Sequence, residues 1–202
     1  MPILMEILFQ ITMVLKIPVV VCLLLLFAVI LFETGMFLNE WVNRRAKSGQ
    51  WETFQDTFIL KPITPARILE TLSGNLQICP ETVAAFLEKA GEHPENSAYL
   101  EKVFTDVEME AARRCRLVQL GVRLGPVLGL MGTLIPMGPA LMNISTGNLE
   151  TMAQNLIMAF STTVIGLLTG SVCLVILVVR QHWYKMDIAF LDNLFQQICP
   201  GV

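Results

Sequence analysis

Charge is scarce in this chain. Only 15% of its 202 residues are Asp, Glu, Lys or Arg, against about a quarter in soluble domains, so a soluble fold of this length would be short of surface charge. Cysteine is sparse as well. The 5 cysteines, at 22, 79, 115, 173 and 199, are too few for a disulfide-stapled secreted domain, and no CxxC or Cys/His spacing points to a metal site. The 2 histidines, His93 and His182, stand alone. There is no phosphate loop, no Ser/His/Asp set and no carboxylate pair in an apolar setting, so the chain is not expected to be an enzyme or to carry a cofactor. A net charge of −3 gives no general attraction to nucleic acid. What the chain has in abundance is apolar side chains, 54% of the total, with a mean hydropathy of +0.61. That composition excludes disorder and leaves a protein of the lipid bilayer.

A hydrocarbon core about 30 Å thick takes about 20 mostly apolar residues as helix. Three segments qualify: 17–38, whose only charge is Glu33 near its end; 119–149, charge-free from Leu124 and including a short outer loop; and 150–180, charge-free from Thr151 to Val179. Residues 1–16 are apolar but hold Glu6 and Lys16. A cleaved signal would place its basic residues before the apolar stretch, and here the only one follows it. The segment reads as an interfacial helix leading into the first span, with a frayed terminus as the alternative.

Basic residues orient the spans. Of 14 Lys and Arg, only Lys16 falls on the side of the N-terminus and the outer loop, while Arg44, Arg45, Lys47, Arg113, Arg114, Arg116, Arg123, Arg180 and Lys185 cluster at the opposite ends. The N-terminus is therefore expected outside. The region 39–118 and the C-terminal helix 181–202 are expected in the cytoplasm. Thr64-Pro65 and Pro80-Glu81 look like helix starts, the latter with Val83, Phe86 and Leu87 on one face. Asn96-Ser97 opens a further helix in which Leu100, Val103, Phe104 and Val107 recur at helical spacing. With no breaker before Pro126, the second span should continue a cytoplasmic helix from about residue 97. The fold class expected is an all-α membrane protein with three spans and long cytoplasmic helical extensions.

Spans two and three are rich in small residues. Gly121, Gly125 and Gly129 recur every fourth position, next to Gly132 and Thr133, and Ala159, Thr163, Gly166 and Gly170 form a second stripe. Small residues at this spacing let helices approach closely in lipid. Thr133 and Thr163 lie at similar depth from opposite ends, near the middle of the bilayer, with Ser161 and Thr162 beside the latter. Each hydroxyl can satisfy itself on its own helix; together they can form a polar seam for an ion or a partner's carboxylate. Pro126, Pro136 and Pro139 should bend the second span and free backbone carbonyls. Glu33 is an intramembrane acid near the cytoplasmic end of its span that either snorkels, pairs with Arg44 or Arg45 of a neighbour, or handles the ion.

The string Leu124-Gly-Pro-Val-Leu-Gly-Leu-Met-Gly-Thr133 resembles the APLLGLLGTV signature of the MotA/TolQ/ExbB proton-channel family, and Ala159-Phe-Ser-Thr-Thr163-Val-Ile-Gly166-Leu is similar to its ALxxTAxGL signature. Three spans with the N-terminus outside resemble the TolQ and ExbB branch. The motif match covers about 113–180, and the first span and the insert match in layout. Met158 stands where the ExbB branch carries Glu, and Ser171-Val172-Cys173 replaces its IPA.

The resemblance implies a pentamer around a pair of single-span helices of the MotB/TolR/ExbD kind, in the inner membrane. The partner's Asp takes and releases the ion, and Thr133 and Thr163 line its path. H⁺ is the favoured ion. Na⁺ would want further oxygen ligands, which Ser161 and Thr162 could supply. On this reading Gly125, Gly129, Gly132, Pro136, Ala159, Gly166 and Gly170 pack the helices and contact the partner. The alternative is a non-conducting membrane scaffold held together by the same glycine faces.

Overall fold

In the computed structural model, described over residues 2–60, 77–93, 96–145 and 147–198, every regular element is helical. The helices are α1 (Pro2–Leu60), α2 (Glu81–Ala90), α3 (Ser97–Ser145) and α4 (Leu149–Ile198). Three of them, α1, α3 and α4, are long and apolar enough to cross a membrane. The 49 residues of α3 are more than twice the roughly 20 that a helix needs to cross the hydrocarbon.

Local chemistry explains the ends. The Asn96 side chain accepts a hydrogen bond from the Tyr99 N–H (3.2 Å) and so caps α3. At the other end Gly147 adopts φ +72°, a left-handed conformation that costs glycine little. The Gly147 and Asn148 N–H groups then close back on Ile144 and Asn143 (3.2 and 3.0 Å), satisfying carbonyls that the helix end leaves open. Asn148 in turn accepts from the Thr151 N–H (3.2 Å) and caps α4. The expected outer loop is thus a tight turn.

No break separates residues 2–16 from the first span, or 181–198 from the third; α1 and α4 run continuously through both boundaries. Likewise α3 is one continuous helix from Ser97 through the second span, and Pro126, Pro136 and Pro139 lie inside it without ending it. The helix start read at Thr64-Pro65 lies outside the described residues.

The chain forms two compact units. One comprises Met1–Gly35 with Leu117–Leu177, the other Met36–Arg116 with Val178–Val202. The second unit is more than the bare helical extensions expected. Val83, Phe86, Leu87 and Ala90 of α2, Leu100, Val103 and Val107 of α3, and Phe190, Leu191 and Leu194 of α4 are buried together in one cluster with Cys79. Burial pushes the Cys79 thiol up to about 11, so it is an unreactive thiol at neutral pH.

Charge is also buried in this unit. Asp187, 4% exposed, accepts two hydrogen bonds from Arg44 (2.7 and 3.3 Å) and one from the Thr82 hydroxyl (2.7 Å). Arg44 also lies 3.5 Å from Glu40, which accepts from Arg180 at 3.2 Å. The Arg44 guanidinium stands over the Trp183 ring, and Phe37, Trp41 and Trp183 contact one another at 5.5–5.7 Å. Buried ions persist when their hydrogen-bonding capacity is met in this way. Arg44, read from sequence as a candidate partner of Glu33 in a neighbouring copy, is therefore engaged by Asp187 and Glu40 of its own chain.

A second, exposed ion pair joins Arg114 to Glu81 (2.9 Å). The hydrogen bond from Arg114 holds the Glu81 carboxyl below the usual carboxylate range. Its contribution is fully present above the ordinary Glu value and is lost as pH falls through the lowered one. The two pairs should respond differently to substitution. Asp187→Asn removes the closer of the two carboxylates facing the partly buried Arg44 and leaves it Glu40 at 3.5 Å. It is expected to cost about 3 kcal/mol, the low end for breaking a buried pair, whereas Glu81→Gln is expected to cost at most about 1 kcal/mol. Denaturant unfolding of the purified chain in detergent measures both, and equal losses would contradict the assignment.

Candidate functional site

The site lies in the first unit, where α3 and α4 run antiparallel with their glycines face to face. A methyl group added at Gly125 would stand 2.8 Å from the Gly166 carbonyl oxygen and 2.9 Å from the Gly170 nitrogen. At Gly129 it would meet the Gly166 Cα (3.2 Å) and the Thr162 carbonyl (3.3 Å), and at Gly132 the Cβ and Oγ1 of Thr162, both at 2.6 Å. Gly121 faces Cys173 in the same way. Contacts step up α3 from 121 to 132 and down α4 from 173 to 162, at the three- and four-residue intervals that keep one helix face in view. The small-residue stripes read from sequence are thus one shared interface, with Gly132, Thr162 and Cys173 extending it. Pro126 also borders it, with its ring 2.9 Å from where a Gly170 methyl would sit. Pro136 and Ala159 are buried.

Thr162 and Thr163 lie at this contact, and the hydroxyls of spans two and three are each closed on their own helix. Thr133 donates to the Leu130 carbonyl (2.7 Å), Ser161 to Ile157 (2.8 Å), Thr162 to Ala159 (2.8 Å) and Thr169 to Ile165 (2.6 Å). Thr163 also turns to Ala159, but at 3.3 Å, beyond the usual range for an O–H···O bond. Burial sorts them further. Thr162 and Thr169 are enclosed, at 5% and 0% exposure; Thr133 and Thr163 are half-buried, and Ser161 is exposed. Backbone contact brings Thr163 beside Gly129, its Cα 3.5 Å from a methyl placed there. The Thr133 and Thr163 hydroxyls do not bond one another. Thr163 is the hydroxyl held most weakly and still accessible, which makes it the one most easily turned towards an ion or a carboxylate.

Glu33 is buried in this unit at 8% exposure, on the turn of α1 that follows Ile30. The Ile30 side chain reaches the Gly121 contact, so this acid is carried on a helix that touches the α3–α4 pair. Sequence reading did not single out Thr34, next to it, whose hydroxyl donates to the Ile30 carbonyl (2.7 Å). Nor did it single out Asp187, Glu40 and Arg180 of the second unit as partners. Chemistry of this kind — hydroxyls in apolar surroundings, no carboxylate from 124 to 149 or from 151 to 179 — can offer oxygens to an ion but cannot relay a proton by itself.

Substitution at the helix contact should be graded by what the new methyl meets. Gly166→Ala sets it 2.6 Å from the Gly125 carbonyl oxygen and 2.7 Å from the Gly129 Cα, backbone atoms that move only if the helices part. This change is expected to cost at least the 1–3 kcal/mol typical of overpacking. Gly35→Ala, with nothing within 4 Å, is expected to be neutral or slightly stabilising through helix propensity. Thermal unfolding in detergent checks the order; equal melting of the two variants would contradict a tight α3–α4 contact.

No individually curated protein matches the chain. Its residues 52–191, more than two thirds of the sequence, do match a family, and the match takes in the insert after the first span together with spans two and three. The glycine contact and the paired hydroxyl strings sit inside that stretch, and the chain belongs to the MotA/TolQ/ExbB proton channel family.

Proposed function

We propose that the chain is the channel subunit of an energy-transducing complex driven by an ion gradient, with H⁺ as the ion. In this reading it is a multi-pass protein of the cytoplasmic (inner) membrane, N-terminus outside and C-terminus in the cytoplasm. It assembles as a pentamer around a pair of single-span partner helices of the ExbD/TolR/MotB kind. The partner contributes the Asp that takes up and releases the proton, and Thr163, with Thr133, presents hydroxyl oxygens along the path.

The observation that carries this is the Thr163 hydroxyl. It is the one hydroxyl of the seam with a long bond to its own backbone (3.3 Å), at half-burial, in a stretch where this chain offers no acid of its own. A group that must exchange partners repeatedly should be weakly committed to any one of them. Assembly is supported by how little of the apolar surface one chain covers. Only 17% of the apolar window of α1 is buried within the chain, which leaves the rest to lipid or to neighbouring copies.

The second reading, a non-conducting scaffold, draws on the same glycine contact, which suffices to pack helices without any ion path. Thr163→Val separates the two. The valine keeps the shape and removes the hydroxyl, so it is expected to leave assembly intact and to abolish proton flux through the complex in reconstituted vesicles. Normal flux would remove Thr163 from the path; assembly without flux in the unaltered protein would favour the scaffold.

A further inference from the structure

Two hydroxyls compete for one carbonyl. Thr162 and Thr163 both donate to the Ala159 oxygen, at 2.8 Å and 3.3 Å. A carbonyl oxygen has two lone pairs, and within a helix one of them already serves the N–H four residues on. The two hydroxyls therefore share what remains. Thr162 takes the short bond because it cannot turn away. It is 5% exposed, and it faces Gly132, where even one added methyl would fall 2.6 Å from its Cβ and Oγ1. A helical threonine has two χ1 rotamers open to it, and the close approach of Gly132 to the Thr162 Cβ and Oγ1 favours the one that points the hydroxyl at Ala159. Thr163, half-buried on the next position of the helix, is left with the long bond, while Thr34, Thr133, Ser161 and Thr169 keep bonds of 2.6–2.8 Å.

We propose that Thr162 is a positioning residue for ion handling. By occupying the Ala159 carbonyl it denies Thr163 a strong intrahelical bond, and the Thr163 hydroxyl stays free to reorient towards a passing ion or a partner's carboxylate. Gly132 is the other half of the device, since it supplies the space that fixes the Thr162 rotamer. The inference rests on the reading of Thr163 as an ion-path hydroxyl. Thr162 itself, walled in by α3, does not touch the ion.

The competition is tested on the full chain in bilayers, independently of any partner. Labelling with ¹³C-carbonyl alanine and ¹⁵N-phenylalanine marks Ala159–Phe160 together with Ala85–Phe86 and Ala189–Phe190 alone, so the Ala159 carbonyl resonance can be followed. Thr163→Val is expected to move that resonance little in the unaltered background and strongly in the Thr162→Val background, where Thr163 has become the main donor. An equal displacement in both backgrounds would overturn the competition.

The consequence is then read as proton flux through the native complex. Thr162→Val is expected to lower flux several-fold, and Thr162→Ser, which keeps the donor, to stay near the unaltered level. A packing role for Thr162 predicts the reverse order, because valine fills the threonine's shape and serine loses its methyl. The reverse order, or equal flux in both, would overturn the proposal. Unchanged flux in Thr163→Val would instead remove the ion-path reading, with the carbonyl resonance still deciding whether Thr162 controls the bond.

Discussion

In a bilayer no hydrophobic force holds one apolar helix against another, because lipid tails are as apolar as leucine. The pairing of α3 and α4 must therefore come from how closely their backbones approach. The glycines at 125, 129, 166 and 170 permit an approach at which a single methyl group would collide with backbone atoms of the neighbour. Other features of the first unit hang on this contact. It encloses Thr162 and brings Thr163 beside Gly129, and it provides the protein cover that a proline-bearing helix needs in hydrocarbon. A looser pairing would leave the same residues in the same order but would not dictate which hydroxyl is pinned and which is weakly held.

The second unit solves a different problem by different means. Here an apolar core of α2, α3 and α4 side chains is joined by charges that are buried yet paired. Asp187 has three donors around it, and Arg44 has two carboxylates and an aromatic face. Such a network adds little net stability over a well-packed apolar replacement, but losing any one member strands the others. It ties α1 to α2 and α4 within that unit through Arg44, Thr82 and Asp187.

Much of the first unit was legible from residue spacing. Glycines four apart announced the helix faces, the charge-free runs announced the spans, and the two hydroxyl strings pointed to a family that the match over 52–191 confirms. Pro80-Glu81 and Asn96-Ser97 also marked true helix starts, since a proline before the first turn and an Asn96 cap are both local chemistry. What sequence could not give was rotation. Thr162 and Thr163 are adjacent, and only the packed α3–α4 pair decides that the first is enclosed against Gly132 while the second is half-open. Nor could it give partners far apart in the chain: Arg44 and Asp187 lie 143 residues apart, and Arg180 and Glu40 lie 140 apart, with no local pattern to join them. The boundaries drawn at residues 16 and 180 followed from polarity, which marks where a helix leaves lipid; α1 and α4 continue through them.

The claim on which the account turns is that this chain encloses an acid supplied by another protein. Native mass measurement of the detergent-purified complex, from cells expressing the chain with any single-span protein encoded beside it, addresses it directly. The account predicts a pentamer that retains a pair of partner chains. A monomer or dimer that retains none would contradict it and leave the weakly bonded Thr163 hydroxyl without an acid to serve.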